Sequence, residues 1–138
     1  MAAQPWAFGP VGDLAWQHFP EAREQIADLV CTELQGAINA DRMPQPVDQF
    51  EYALHAVGPL IRDLGLVELD PDLVRRFCLF CRDLLGYTGP DEYEVSHVLG
   101  MYVLDGLDGP PVVRVIRQAD PQLIELVRAR FPRMWAEE

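Results

Sequence analysis

Asp70-Pro71-Asp72-Leu73-Val74-Arg75-Arg76-Phe77-Cys78-Leu79-Phe80-Cys81-Arg82-Asp83-Leu84-Leu85-Gly86 is the stretch on which the fold class turns. Leu73, Val74, Phe77, Cys78, Cys81, Leu84 and Leu85 recur every three or four residues, which lines them along one face of an α-helix. Asp70 is placed to cap its first turn, and Pro71 takes the first helical position, where a missing N–H costs nothing. Gly86 is a natural stop. Arg75, Arg76 and Arg82 fall on the outer face, to be solvated or paired with nearby aspartates.

The same punctuation recurs on both sides. Toward the C-terminus, a helix is expected over 90–105, with Val95, Val98, Leu99, Tyr102 and Val103 facing inward. Gly106, Gly109, Pro110 and Pro111 then break the chain. Val112-Val113-Arg114-Val115-Ile116 is the strand-like run of the sequence, readable as a short hairpin or as a buried helical turn. Asp120-Pro121 opens a last helix to about Arg130, and Trp135 is expected to fold back onto the body, since an indole left in water is unfavourable. Toward the N-terminus, 46–64 carries Val47, Phe50, Leu54, Val57, Ile61 and Leu64 at 3-4-3-4-3 spacing. Gly58-Pro59 lies inside that stripe, where the proline removes a backbone bond and disturbs the helix, and Gly65 ends it. A helix over 20–41 is expected to bury Ile26, Val30, Leu34, Ala37 and Ile38. Leu14, Trp16 and Phe19 precede it in a short turn or arm. These elements predict an all-α protein of one domain, 1–138. It is expected as a four-helix bundle or two stacked helical hairpins, with an N-terminal arm (1–19) and a short C-terminal helical appendage (110–138).

Composition narrows the function. The chain has 138 residues, 22 acids and 11 bases, a net charge of −11, and every base is arginine. Residues 1–70 hold 11 of the acids and 3 arginines. Such a charge repels phosphates, so nucleic acid is not an expected ligand, whereas a basic protein partner is. The longest apolar runs are far short of the ~18 residues that cross a bilayer. Residues 1–13 carry neither a basic residue nor a long apolar core, so no signal peptide is read there and a cytoplasmic location is expected. Three cysteines, Cys31, Cys78 and Cys81, do not make a secreted disulfide framework.

Candidate chemistry is sparse. Cys78 and Cys81 have the spacing of a redox or zinc half-site, but they lie mid-helix on an apolar face with no second pair, so packing explains them. Glu94 and His97 form a Glu-x-x-His pair, and Glu51 and His55 lie one helical turn apart. With Glu33 or Asp83 these four could build a carboxylate-bridged metal site in a bundle, although one pair alone has the required spacing. No nucleophile–base order, phosphate loop or zinc-protease motif is present. No catalytic residue and no cofactor is therefore expected.

Leu73-Val74-Arg75-Arg76-Phe77-Cys78-Leu79-Phe80-Cys81-Arg82-Asp83-Leu84-Leu85 resembles the penultimate core helix of a small bacterial all-helical family of unknown function, whose members are proposed to be immunity-type proteins of toxin systems. Asp91, Val95-Ser96-His97-Val98-Leu99 and Tyr102-Val103-Leu104-Asp105-Gly106-Leu107 continue the likeness, which spans 71–107; the family usually has Asn at the position of His97. The resemblance implies a binding role without chemistry. Two functions come into view. One is a non-catalytic protein-interaction module, of immunity type, that masks a basic partner through Glu21, Glu24, Asp28, Asp41, Asp48 and Glu51, with Trp6 or Trp16 as aromatic anchors. The alternative is a small metal-binding or enzymatic bundle using Glu51, His55, Glu94 and His97.

Overall fold

Of the five prolines expected to open helices, Pro71 and Pro121 stand at the first position of an α-helix, each behind a capping aspartate. Asp70 accepts from the backbone N–H of Asp72 at 2.9 Å, and Asp120 from that of Leu123 at 3.2 Å. Pro20 opens a 3-10 turn instead, and Pro46 and Pro90 each stand a few residues ahead of a helix. The computed structural model describes residues 8–61, 70–90, 92–104 and 110–135. Helix accounts for 79% of these residues, in seven helices and no strand among them, so the all-α class holds.

In chain order the helices are α1 (Gly9–His18), α2 (Arg23–Asn39, after the 3-10 turn Pro20–Ala22), α3, α4 (Pro71–Leu85), α5, α6 (Pro110–Ala119) and α7 (Pro121–Arg130). Helix α3 runs through Gln49–Tyr52, a wide π turn Ala53–Val57, and Gly58–Ile61; α5 runs through Glu92–Val98 and the π segment Leu99–Leu104. Helix α4 packs on α1, α5, α6 and α7, while α2 and α5 lie against α3. Helix α1 touches α2, α3 and α4, so it joins the two groups.

Several expectations change, each for a physical reason. Residues 9–18, expected as turn or arm, form a helix that buries Val11 and Ala15. The strand-like run lies in α6: Val113 and Ile116 are buried three residues apart and Arg114 and Arg117 face solvent, so the helical period overrides β propensity. Residues 110–135, expected as an appendage, instead add Ile116, Leu123, Ile124, Val127 and Trp135 to the common core. Ile38, in the last turn of α2, is 73% exposed.

The two π turns explain the remaining differences. Proline at 59 cannot donate to the carbonyl four residues back, and the irregularity expected there takes the form of a wide turn in which the Gly58 N–H bonds the Ala53 carbonyl. One extra residue in a turn rotates the rest of the helix by roughly 100°. Val57 and Ile61 are buried as the stripe predicts, but ahead of them Tyr52, Ala53 and Ala56 are buried and Leu54 is 48% exposed. In α5 Val95, Val98, Leu99 and Val103 are buried as expected, while Leu104 joins them and Tyr102 is 40% exposed. The end of the expected α3 stripe, Leu64, and its stop, Gly65, lie outside the described residues, as do Asp91 and 105–107.

Polar ties fix this packing. The buried Gln49 side chain sits at the start of α1, where no side chain of that helix's own end caps it. Its Oε1 accepts from the Val11 N–H at 2.7 Å and its Nε2 donates to the Phe8 carbonyl at 2.8 Å. Close approach also demands glycine: a Cβ on Gly12 would stand 2.6 Å from that of Phe8, and one on Gly100 would stand 2.8 Å from the Phe131 ring. Arg82 grips Asp120 with two hydrogen bonds, at 2.5 and 2.7 Å, binding α4 to the cap of α7.

Candidate protein-interaction surface

The acidic residues singled out in the sequence separate into two kinds. Glu21 lies in the 3-10 turn and is held by both Nη atoms of Arg76, at 2.7 and 2.8 Å. Arg76 also donates to Asp72 and to the His18 carbonyl, so Glu21 ties α4 to the entry of α2. The Arg76 guanidinium holds the Glu21 carboxyl below its ordinary range. Glu24 and Asp28 stand one turn apart on the exposed face of α2, with no described arginine or histidine paired to either. Asp41, in a left-handed backbone conformation just past α2, and Asp48, just ahead of α3, are exposed. Trp16 is 37% exposed, with Phe8 stacked on one side and the Arg23 guanidinium 5.2 Å from its centroid. Trp6 lies outside the described residues.

The residues of the alternative site have other partners. Glu51 and His55 pair with each other at 3.0 Å. The His97 ring packs edge-on to Tyr102, and Glu94 is exposed. Glu33 bonds Arg42, and Asp83 bonds His18 at 2.7 Å. Among the described residues no three or more His, Cys, Asp or Glu side chains gather as metal ligands. Cys78 and Cys81 are buried on the core face of α4, and burial pushes the Cys78 thiol up to about 11 and that of Cys81 well above its usual value. Burial thus favours the protonated thiol at both positions.

A surface that periodicity did not anticipate lies where α3 and α5 meet. Their π turns pack against each other. Phe50 stacks on Tyr102 with ring centroids 5.5 Å apart, and the His97 ring lies edge-on to Tyr102 at 6.2 Å. Leu54 comes one turn after Phe50, and Met101, beside Tyr102, is 56% exposed. Leu54, Met101 and Tyr102 thus emerge within the π turns, where the helical period fails, and the half-buried Phe50 stacks on Tyr102 from the first turn of α3. The signal available in the sequence was Gly58-Pro59 for α3; for α5 there was none beyond Gly100.

Charge is sorted along the same lines. Helices α2, α3 and α5 carry Glu24, Asp28, Glu33, Glu51, Glu92 and Glu94 against one arginine, Arg23, whose Nε donates to the Trp16 carbonyl. Helices α4, α6 and α7 carry seven arginines against Asp72, Asp83 and Glu125. The α4 arginines are engaged with carboxylates, Arg128 with the Trp135 carbonyl, and Arg130 with Ser96 and the last carbonyl of α4. Arg76, Arg82 and Arg130 therefore join helices, while Glu24, Asp28, Glu92 and Glu94 of the other group are exposed. No described helix is long and apolar enough to cross a membrane. No protein-family model matches the sequence, and comparison with curated proteins and with solved structures returns no match.

Proposed function

We propose that this chain is a non-catalytic, cytoplasmic protein-interaction module that masks a basic protein partner, as an immunity-type protein masks a toxin domain. The observation that carries the reading is the sorting of charge: six carboxylates and one arginine on α2, α3 and α5, against three carboxylates and seven arginines on α4, α6 and α7. An acidic face of this kind accelerates encounter with a cationic surface and disfavours phosphate-bearing ligands. Glu24 and Asp28 are the carboxylates best placed to steer, because no described arginine or histidine competes for them. The resemblance of 71–107 to the immunity-type family points the same way. The test is capture of a partner from the native host, followed by reversal of Glu24 and Asp28 to arginine. The partner is expected to be basic, its association to slow as salt is raised toward physiological strength, where screening shortens to ~8 Å, and the double reversal to slow it further. A captured partner whose association rate is indifferent to both changes would refute the assignment. Glu21 is left intact in this experiment, since its reversal would set two cations against each other at Arg76.

A further inference from the structure

We infer that the α3–α5 surface anchors an amphipathic helix of the partner, apolar where it meets Phe50, Leu54, Met101 and Tyr102 and lysine- or arginine-bearing along its edges. The inference rests on the masking function proposed above and names the part of the partner that is held. Helices recognised in this way offer apolar side chains at i, i+3, i+4 and i+7 to a hydrophobic seam between two helices. Here the seam is preformed. Tyr102 already has ring contacts with Phe50 and with His97, so docking on it costs little side-chain freedom. Leu54, Met101 and Tyr102 stand on π turns, which occur frequently at functional sites, and Phe50 stands in the first turn of α3.

The rim decides the occupant. The described carboxylates of α3 and α5 are Glu51, Glu92 and Glu94; the described bases on these helices are His55 and His97, and Arg130 reaches α5 from α7 at Ser96. Glu92 and Glu94 are exposed, and among the described residues Glu51 pairs with His55. A second copy of this chain would bring the same carboxylates to the same face, since a two-fold interface pairs a patch with itself. A cationic helix meets complementary charge on the rim and apolar surface at the centre.

The experiment uses a synthetic helical peptide with leucine at i, i+3, i+4 and i+7 and lysine elsewhere, and a counterpart with glutamate in place of lysine. The lysine peptide is expected to shift the nuclear magnetic resonances of Leu54, Met101 and Tyr102, and the glutamate peptide to leave them unchanged. The variant L54S/M101S/Y102S is expected to weaken the lysine peptide about tenfold or more, as loss of a central apolar cluster does. M101Q alone, with the circular dichroism of the parent, is expected to weaken it measurably, which separates lost contacts from lost fold. E24R/D28R is expected to act mainly on the association rate. Equal binding of both peptides would defeat the inference together with the basic-partner reading. Binding that the triple variant leaves unchanged and E24R/D28R abolishes would defeat the anchor alone. Failure of the lysine peptide to bind would also defeat it, whatever partner the host supplies. A free chain that dimerises in sedimentation, and becomes monomeric in the triple variant, would assign the surface to a second copy instead.

Discussion

Helices α2 and α4 have similar lengths, 17 and 15 residues, and opposite roles. Helix α4 buries Val74, Phe77, Cys78, Phe80, Cys81 and Leu84 among four other helices, whereas α2 buries Ile26, Val30 and Ala37 against two. On α4 each arginine is matched to a carboxylate, two of them across long stretches of chain. On α2, Glu24 and Asp28 are matched to no arginine or histidine among the described residues. Charge therefore works as an internal tie on one helix and as an outward field on the other. Composition alone does not separate these uses; the number of neighbours around each helix does.

The comparison is broken most directly in the core. Phe80, fully buried against Phe19 with ring centroids 5.1 Å apart, is expected to cost about 4 kcal/mol when changed to alanine. Leu34→Ala on α2, where the side chain is half-buried, is expected to cost about 1 kcal/mol. Urea unfolding of both variants measures the contrast, and equal losses would erase it. Next in size is Gln49→Ala, which leaves the Val11 N–H and the Phe8 carbonyl without their partner and should lower stability by about 2 kcal/mol in the same assay.

Titration sharpens the contrast from both ends of the pH scale. Cys78 has a folded pKa raised by burial to about 11 from 9.0, so its contribution is complete below pH 9 and disappears as pH rises toward 11. Tyr52, raised to about 12 from 10.0 by burial and then by Asp13, extends that loss upward. Melting temperatures are therefore expected to fall between pH 9 and 11, and less so in Cys78→Ser once the baseline loss from substitution is subtracted. Glu21, Asp72 and Asp120 behave in the opposite sense. Arginines hold all three below their usual values, so their contribution is present at neutral pH and is lost as acid protonates them below about pH 4. Cys31, exposed on α2, should react with a thiol reagent at once, while Cys78 and Cys81 wait for unfolding. The smallest effect belongs to E24R/D28R, which should change stability by no more than ~0.5 kcal/mol; a large loss would mean that these acids are structural after all.

Where local chemistry and packing agree, the sequence can be read directly. Asp70-Pro71, Gly86, Asp120-Pro121 and the burial of Trp135 are all found as expected, because a cap, a stop and an amphipathic stripe each depend on residues close in the chain. Helix α1 is obscured because its start is capped by Gln49 from 38 residues away and its apolar face is small. The α3–α5 surface is obscured because a π turn shifts the facing of every later residue, and a stripe counted at 3.6 residues per turn runs straight through it. That count puts Leu54 and Tyr102 in the core, yet both are exposed. Glu21 looks like its neighbours Glu24 and Asp28 until Arg76 is brought beside it by the fold.

Gln49 also constrains the order in which the molecule assembles. An isolated α1 is a ten-residue helix with no cap of its own, too short to persist in water. Its first turn is completed only when α3 has formed and arrived beside it, so the amides of Val11 and Gly12 can close no earlier than that encounter. Helix α1 then docks no earlier than α3, although it precedes α3 in the chain. Its first protected amides should exchange with deuterium only through openings that also separate α1 from α3, which makes Val11 a reporter of that docking rather than of local fraying.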